Sequence, residues 1–578
     1  MTKSLVWLKR DLRSLDHAPL AAAAEGVAAA LWILEPEWLN SPEFHPRQLA
    51  FASACVGELR EALAKRGLPL LVRHGSALSV LQELFERHRF DHLLSHEETG
   101  PGWTYARDRA VGAWCRERGV QWQEWPQHGV VRRLRSRTGW ASRWAGRMNA
   151  APVPMPEAWS GWQGLELGGL PEFEAPASPT TRSRVGSQIG SPIGSPIGSQ
   201  ISPPSDSRSD SWVATPGQTA GLGILDDFLS GRGRAYRRSL SSPLTAESGC
   251  SRISAHLAFG ALSLRMVHQR TEAAIAQAQA QADRALASGL RGFSGRLRWH
   301  CHFMQKLESE PEIEFAHFAR ACDGLRPGED FPGAPAWGHT QASRLQAWQD
   351  GQTGYPMVDA CMRSLNATGW LNFRMRAMLV SFASYHLWLH WRPTGLHLAR
   401  QFTDFEAGIH WSQMQMQSGT TGINTLRIYS PTKQALDQDP HGDFIRRWVP
   451  ELAQVPLPWL HQPWTMDASL QRESGCVIGR HYPPPIVEEA AAARAAKEAM
   501  FGLRKGGEAQ READRIQNRH GSRKSGLPQT GLGRRAAAQG PADSSGVRRR
   551  DRAGSAQAEP QAKLKADPRP DPQGQLFD

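Results

Sequence analysis

Two histidines and a cysteine stand in a row beside a tryptophan in the stretch RLRWHCHFMQ, residues 296–305. Imidazole and thiolate groups such as those of His300, Cys301 and His302 are common metal ligands. The flanking residues favour a helix, however, and consecutive helical residues point about 100° apart, so these three could not grip one ion. Two histidines alone would also leave a zinc shell incomplete. We therefore predict no metal site, and we regard Trp299 as the more informative residue.

A second group of reactive side chains lies in SGCSRIS, residues 248–254. Ser251 and Ser254 carry hydroxyls, and Arg252 carries a fixed positive charge. This combination suits a pyrophosphate, because guanidinium and hydroxyl groups donate hydrogen bonds to phosphate oxygens. Taken alone, the segment could equally be a serine-rich turn before a helix.

The elements that would position these residues differ along the chain. Residues 3–130 alternate apolar runs typical of strands with segments that favour helix. This alternation predicts a parallel, doubly wound α/β sheet in an N-terminal domain of residues 1–135. The predicted strands are SLVWL, ALWILEP, LPLLVRHG and HLLSHEE, and the predicted helices are APLAAAAEGVAAA, GELREALAKRG and ALSVLQELFERH. No GxGxxG motif is present, so a dinucleotide site is not supported.

The remainder of the chain divides into three parts. Residues 136–219 form a connector, and its segment 175–215 contains the repeat GSQIGSPIGSPIGSQI, which cannot bury a core and predicts a flexible linker. Residues 220–502 are predicted to be an all-helical domain. Residues 503–578 are rich in Arg, Gly, Gln, Ala and Pro, a composition typical of a disordered tail.

The net charge of +12 invites a nucleic-acid interpretation, but residues 501–578 alone hold 16 Lys or Arg against nine Asp or Glu. Most of the excess charge therefore lies in the tail, where it could bind nucleic acid weakly or keep the protein soluble. The seven cysteines are scattered and form no CxxC pair, and no apolar run is long enough for a secretory leader or a membrane span. We expect reduced thiols, a cytoplasmic location and a monomer.

Several motifs together resemble the photolyase/cryptochrome family of blue-light flavoproteins. GRLRWHCHFMQ, LQAWQDGQTGYPMVDACMRSLNATGWLNFRMRAML, LRIYSPTKQ and GDFIRRWVPEL occur in the family's order, and VWLKRDLRSLDHAPL resembles its opening strand and turn. The resemblance covers residues 3–500 apart from the linker. It implies an α/β antenna domain followed by a helical FAD-binding domain, which agrees with the organisation predicted above.

The resemblance also implies which residues bind FAD. Tyr236 and the loop around Arg252 would hold the cofactor's phosphates and ribityl chain, although Cys250 stands where the family usually has a hydroxyl. Arg376 and Asp404 would form an ion pair beside the flavin ring, with Glu406 near its pyrimidine edge. His410 replaces the asparagine that usually faces flavin N5, and a histidine could donate a hydrogen bond or a proton there. The implied cofactor-binding residues are Tyr236, Cys250, Ser251, Arg252, Ile253, Ser254, Arg376, Asp404, Phe405, Glu406 and His410.

Trp299 matches the tryptophan that stacks on an extruded base in the lesion pocket. Phe373, Arg374 and Gln434 complete the implied substrate contacts, although Arg374 lies on a different helical face from Arg376 and could be only a surface charge. Arg296 stands where repair enzymes place a glutamate. A cation there could neutralise a radical anion or bind phosphate, but it cannot replace a carboxylic acid as a donor.

The family's tryptophan chain for electron transfer is also altered. Trp391 matches the middle position, and Trp337 lies near the outer position after a shift of one residue. The inner position is Met414, whose thioether is a poor carrier, unless Trp411 takes over that role. TGIN further replaces the family's acidic, proline-containing loop, which would change the rim of the lesion pocket.

The implied function is that of a photolyase, in which reduced FAD absorbs blue light and passes an electron to a pyrimidine dimer in DNA. The principal alternative is a cryptochrome-type photoreceptor that recruits a signalling partner, and the tail, Arg296 and Met414 suit that alternative. A third is a non-catalytic FAD-binding DNA protein. An antenna pigment, either a folate or a deazaflavin, could bind the N-terminal domain.

Overall fold

A computed structural model describes residues 2–171, 213–329, 333–504 and 506–521 of the 578-residue chain. Within these residues, six parallel strands form one sheet, ordered β3-β2-β1-β4-β5 with β6 paired to the start of β2. The strands are β1 (Lys3–Leu8), β2 (Val27–Leu34), β3 (Leu70–His74), β4 (His92–His96), β5 (Gln121–Trp125) and β6 (Ser160–Gly161). The order reverses between β1 and β4, which makes the sheet doubly wound.

Both faces of this sheet are covered, as parallel sheets require. Along β1, Leu5 and Trp7 pack into the core on one face, while Val6 and Leu8 pack into the core on the other. This alternation follows from the two-residue period of a strand. The helices of this part are α1 (Ala18–Ala22), α2 (Pro36–Leu39), α3 (Pro46–Ala64), α4 (Ala77–His88), α5 (Gly102–Arg118) and α6 (Trp140–Asn149).

The rest of the described chain is helical, and this architecture confirms the predicted fold class. The helices are α7 (Gln218–Ser230), α8 (Tyr236–Ser239), α9 (Pro243–Gly249), α10 (Ser254–Ala258), α11 (Leu264–Ala280), α12 (Arg284–Ser309), α13 (His339–Gln349), α14 (Pro356–Thr368), α15 (Phe373–Ser381), α16 (Trp391–Gln401), α17 (Ala407–Ser418), α18 (Pro431–Gln438), α19 (Asp443–Trp448), α20 (Leu457–Leu460), α21 (Ala468–Glu473), α22 (Glu489–Arg504) and α23 (Gly507–His520). A π-helical turn at Phe382–His386 extends α15, and 3-10 turns lie at Ala23–Glu25, Arg232–Ala235, Pro311–Glu314, Arg320–Cys322, Pro450–Leu452 and Pro463–Thr465.

One predicted helix was wrong in its second half. The alanine-rich segment 18–30 is helical only to Glu25, and Val27 begins β2. β2 lies between β1 and β3, so pairing on both sides outweighs the helix propensity of its alanines. Residues 140–161, predicted as connector, also contribute structure: α6 buries Trp140 and Trp144 in a core shared with α7, and β6 joins the sheet.

Side chains of the sheet-containing part satisfy backbone carbonyls of the helical part, and this fixes the two parts together. Gln48 donates to the carbonyls of Ala399 and Phe402 at 2.9 and 3.1 Å. Arg13 donates to the carbonyl of Gly260 at 3.1 Å. Gly260 has a φ of +63°, and a Cβ there would lie 2.2 Å from a backbone oxygen, so no larger residue fits.

The prediction of a disordered tail from residue 503 was wrong for its first part. Residues 507–520 form α23, which buries Ala513, Ile516 and His520. Glu512 of this helix accepts hydrogen bonds from the backbone N–H groups of Arg320 and Ala321 at 2.8 and 3.1 Å. This helix was not predicted from the sequence, because its few apolar residues, although at helical spacing, lie among many charged ones. The tail beyond 521, and the linker up to residue 212, lie outside the described residues.

Among the described residues no helix combines the length and apolarity needed to cross a bilayer. All seven cysteines are free thiols, and six of them are buried.

The buried face of α23 generates a prediction. Replacing Ile516 by aspartate places a charge in the core beside Gly422, so we expect α23 to undock at a cost of about 3 kcal/mol. Hydrogen exchange of residues 507–520 measures this release. Arg515→Asp introduces the same charge on the exposed neighbouring position and should leave exchange nearly unchanged; equal release by both variants would mean that burial of Ile516 does not hold the helix.

Candidate functional site

A cavity of about 330 Å³ lies in the helical part of the molecule. Helices α12, α15 and α17 form most of its wall, together with the segments around Tyr236 and Trp370. The structure brings many of the predicted site residues to this cavity, namely Tyr236, Cys250, Ser254, Arg296, Trp299, Phe373, Arg376, Asp404, Phe405, Glu406 and His410.

Helix α12 presents one stripe of side chains to the cavity. Arg296, Trp299, His300 and Phe303 all line it, at the spacing i, i+3, i+4 and i+7. Neither His300 nor Phe303 was predicted to face a cavity, although helical periodicity starting from Trp299 would have found both. Their neighbours point elsewhere: Cys301 accepts a hydrogen bond from the backbone of Gly129, and His302 Nδ1 lies 2.6 Å from Arg137.

Arg376 and Asp404 form a bidentate ion pair in the cavity wall. The two nitrogen–oxygen distances are 3.0 and 2.8 Å. Arg376 also donates to the carbonyl of Leu371 at 2.7 Å, and its guanidinium lies 3.9 Å from the ring centre of Phe402. A pair held on so many sides is a rigid dipole rather than a mobile surface bridge.

His300 and Glu406 form a second ion pair at 2.8 Å, with both side chains nearly buried. Burial disfavours the imidazolium form of His300, but the charge and hydrogen bond of Glu406, together with the neighbouring Cys301, outweigh it and raise the pKa of His300 to about 10. The cavity wall therefore contains a charged histidine at neutral pH. His300 is one of the three consecutive residues, 300–302, whose side chains are common metal ligands.

His410 is a neutral imidazole whose N–H faces the protein backbone. Its Nε2 lies 2.9 Å from the carbonyl oxygen of Gly395, and a carbonyl can only accept, so Nε2 carries the proton. Burial lowers the pKa of His410 to about 4, which leaves Nδ1 unprotonated at neutral pH. Donation of a hydrogen bond or a proton by His410, which its residue type would allow, does not fit this arrangement, because its N–H is committed to the backbone and Nδ1 can only accept.

The loop predicted to hold phosphates reaches the cavity only in part. Cys250 and Ser254 line it, whereas Ser251 and Arg252 do not, and Ile253 is buried in a separate core. The Arg252 guanidinium stacks 3.7 Å from the ring centre of Trp370, which does line the cavity. The loop is fixed from behind by Arg232, which donates to the carbonyl of Ser248 at 3.0 Å.

Arg296 lies beside the hydroxyl of Tyr236 on the cavity wall. Burial raises the pKa of Tyr236 to about 12, and a hydrogen bond and charge from Arg296 partly offset this rise. Arg296, which stands where the resemblance places a glutamate, therefore hydrogen-bonds Tyr236, a residue predicted to bind the cofactor.

A row of aromatic rings leads away from the cavity. Trp411 lies 4.8 Å from His410 and 5.9 Å from Trp391, measured between ring centres. Met414, one helical turn after Trp411, lines the cavity itself. Both approach Gly395 of α16, where a Cβ would lie 2.8 Å from the Trp411 ring and 3.2 Å from Met414. Trp391, Trp411 and Met414 belong to one buried apolar core, and Trp337 packs against the edge of that core.

Two predicted substrate residues do not line the cavity. Arg374 donates to the hydroxyl of Ser241 at 3.0 Å, and Gln434 is buried on α18. Phe373, next to Arg374, does line it and is 37% exposed.

Comparisons with known proteins agree with this geometry. A family model described as DNA photolyase matches residues 4–139, and one described as the FAD binding domain of DNA photolyase matches residues 293–501. A deoxyribodipyrimidine photo-lyase of Salmonella typhimurium is 29% identical over 518 residues, covering 88% of this chain and 100% of the relative. The chain belongs to the photolyase/cryptochrome family.

Relatives of both names match the chain. Cryptochrome-1 of Aedes aegypti is 24% identical over 534 residues, covering 87% of this chain and 93% of the relative. The crystal structure of a class III photolyase from Agrobacterium tumefaciens superposes with a TM-score of 0.70 at 23% identity, covering 88% of this chain and 98% of that one. Family membership therefore establishes a photolyase-type FAD-binding domain but leaves repair and photoreception unresolved.

The cavity of this photolyase/cryptochrome chain fits a flat ring with polar edges. Asn372 Oδ1 and Gln413 Nε2 are buried without a hydrogen-bond partner among the described residues, and both residues line the cavity. Asn372 is held by donating to the carbonyls of Leu240 and Ser241 at 3.0 and 2.8 Å, so its oxygen is fixed in place. The aromatic wall of the cavity therefore offers one hydrogen-bond acceptor, Asn372 Oδ1, and one donor, Gln413 Nε2. The polar edges of the FAD isoalloxazine would require such groups.

A smaller cleft lies at the carboxyl ends of β1 and β2, between the two parts of the molecule, where doubly wound sheets bind ligands. Its volume is only about 50 Å³. Arg107 occupies this region and pairs with Glu35, Glu98 and Asp108 at 2.7, 2.6 and 2.8 Å. A fused-ring pigment would have to displace part of this network.

The His300–Glu406 pair generates a pH prediction for His300→Gln. Because the pKa of folded His300, about 10, lies above its ordinary value of 6.5, the stabilisation is complete below 6.5 and is lost as the pH rises through 10. We expect the wild type to exceed the variant in unfolding free energy by about 3 kcal/mol near pH 6. The difference should then shrink steadily toward pH 10. Denaturant unfolding at a series of pH values measures it.

His302→Gln, on the same helix, is the matched control. Burial lowers the pKa of His302 well below its ordinary range, so that ring is neutral across the whole window. Only the unfolded chain titrates this ring, near its ordinary pKa of 6.5, so the cost of His302→Gln should be constant above about pH 7.5. A cost for His300→Gln that is also constant above about pH 7.5 would refute the charged pair.

Proposed function

We propose that this chain is a blue-light-driven flavoprotein that uses FAD to split pyrimidine dimers in DNA. Bound in the cavity and reduced, FAD would supply the photoexcited electron. Arg376, Asp404, Glu406, Asn372 and Gln413 would hold the ring, and the end of the cavity near Cys250 and Ser254 would hold the phosphates. His410 would offer an acceptor through Nδ1, not a donor.

The observation that carries the DNA assignment is the exposed aromatic rim of the cavity, together with the exposed arginines of the neighbouring helix α8. Phe373 is 37% exposed at this rim, and Trp299 lines the wall. Helix α8, which turns Tyr236 into the cavity, carries Arg237 and Arg238 on its exposed side. Aromatic faces stack on extruded bases and surface guanidinium groups bind phosphates, so the combination suits a flipped lesion in a DNA strand.

Arg296 would act as a cation rather than as an acid. It cannot hydrogen-bond a lesion through a carboxyl proton, but it would stabilise negative charge developing on a dimer beside Trp299. The electron route for reducing FAD would run from Trp391 to Trp411 and past His410 or Met414. Trp337 and the role of Gln434 and Arg374 at the lesion stay predictions, as does an antenna folate or deazaflavin.

A second candidate function is photoreception, and the docking of α23 favours it. His520 packs 5.1 Å from Phe318, measured between ring centres, and Phe318 lies close in sequence to His317, which contacts Trp391. A change of charge near Trp391 would therefore act on α23 through His317 and Phe318.

Repair itself is the discriminating experiment. The purified chain, its flavin verified by absorbance and then chemically reduced, is mixed with an oligonucleotide carrying one cyclobutane thymine dimer under blue light or in darkness. Light-dependent restoration of thymines would support repair with Arg296 in place of glutamate. A bound, photoreducible flavin without restoration, on this lesion and on a (6-4) photoproduct, would favour the photoreceptor.

The rim generates a prediction for Phe373→Ala. Loss of base stacking should weaken binding of the dimer-containing oligonucleotide on the order of 10-fold, as fluorescence anisotropy would measure. Phe501→Ala is the control, because Phe501 is 53% exposed on α22 and does not line the cavity. Equal affinities for Phe373→Ala and the wild type would remove the rim from the DNA site.

A further inference from the structure

The indole N–H of Trp391 has a proton acceptor of its own. Trp391 is completely buried, and its Nε1 donates a hydrogen bond to Nδ1 of His317 at 2.9 Å. Because Nδ1 accepts, the neutral ring of His317 carries its proton on Nε2. A buried tryptophan therefore points its only acidic hydrogen at a lone pair of an imidazole.

The far side of His317 faces a carboxylate. His317 Nε2 lies 3.3 Å from Glu329 Oε2, close enough for an ion pair but not aligned as a hydrogen bond. Glu329 also accepts from the backbone N–H of Gly324 at 2.6 Å and of Arg326 at 3.1 Å. Burial would raise the pKa of Glu329, but its contacts with His317 and His390 and the hydrogen bond from the backbone of Gly324 outweigh burial and lower it. The carboxylate is thus ionised and would stabilise a second proton on His317.

Trp411, the ring nearer the cavity, lacks these arrangements. Its Nε1 is buried and has no hydrogen-bond partner in the described parts of the chain. The guanidinium of Arg392 lies 5.2 Å from its ring centre, which disfavours a positive charge on that indole. A positive charge passing along the row would therefore be more stable on Trp391 than on Trp411.

We propose that His317 takes the indole proton of Trp391 when light-driven electron transfer oxidises that ring. This rests on the proposed electron route, in which a bound flavin would supply the photoexcited one-electron oxidant and Trp391 would lose its electron through Trp411. The Nε1–H bond of the oxidised indole breaks and a bond from that hydrogen to His317 Nδ1 forms. The products are a neutral indole radical and an imidazolium paired with Glu329. Return of the electron is then slowed, because without the proton it would form an indole anion.

A metal ion is a poorer explanation of the same cluster. His317, Glu329 and His390 place three potential ligand atoms together. Both rings, however, accept hydrogen bonds on Nδ1, from Trp391 and from the backbone of Arg392, so their Nε2 atoms carry protons toward Glu329. Metal-binding histidines show the reverse arrangement, with the second nitrogen donating.

Flash photolysis of the FAD-loaded full chain tests the proposal. In the wild type we expect the absorbance of an indole radical cation to be replaced by that of the neutral radical, more slowly in D₂O than in H₂O. His317→Gln keeps a hydrogen-bond acceptor but no base, so deprotonation should slow by about 100-fold and the electron should return sooner. Glu329→Gln, which retains the base but not its counter-charge, should give an intermediate rate.

His397→Gln is the matched control, since His397 is a buried imidazole on the same helix as Trp391 that packs against Trp348 instead. It should behave as the wild type. A readout independent of the flavin is the indole N–H resonance of Trp391 in ¹⁵N-labelled protein, which should move upfield in His317→Gln alone.

The outcomes separate the two levels of inference. Indole radicals that form in the wild type but lose their proton equally fast in His317→Gln would overturn the role of His317 and leave the electron route standing. No indole oxidation in any variant would refute the electron route, and the proposal would fall with it.

Discussion

Charge buried beside an apolar cavity must be paired, and this constraint organises the site. Two acidic residues that are two positions apart, Asp404 and Glu406, enter the wall between α16 and α17. Each is matched by one cation from a different helix, Arg376 from α15 and His300 from α12. Because an unpaired buried charge costs several kcal/mol, these pairs fix α12 and α15 against the start of α17. The shape of the cavity follows from that arrangement.

The chain segment that carries these acidic residues is also held by hydrogen bonds across the boundary between the two parts of the molecule. The segment 402–406 that supplies the acidic residues also exposes backbone carbonyls toward the sheet-containing part. Gln48 donates to Phe402, and Arg10 donates to Phe405 at 3.3 Å. A movement of the sheet-containing part would therefore act directly on the backbone that holds the cavity's charges. The two parts are better regarded as one structural frame for the site than as independent modules.

Periodicity was sufficient for the fold, since alternating strands and helices predicted the doubly wound sheet. The resemblance of local motifs to the photolyase/cryptochrome family implied Arg376, Asp404 and Trp299, which line the cavity. What could not be predicted depended on contacts between residues far apart in sequence. His300 is kept charged by Glu406, which lies 106 positions later in the sequence. The N–H of His410 donates to the backbone carbonyl of Gly395 and so is not directed into the cavity. Likewise, α23 is recognisable only once the body it packs against is known, since its apolar residues are few.

Gly395 shows how the altered tryptophan chain can still be continuous. Residues 411 and 414 are one turn apart on α17, so both face α16, and the missing side chain at 395 lets the Trp411 ring and Met414 approach together. The carbonyl of the same glycine holds His410 in its neutral tautomer. An indole is therefore available one turn from the position where the family places it, with Trp391 5.9 Å beyond. On the proposed route, the departure at Met414 would move electron transfer along the helix without breaking it, and Trp391, with its N–H directed at His317, would be the ring that loses its proton.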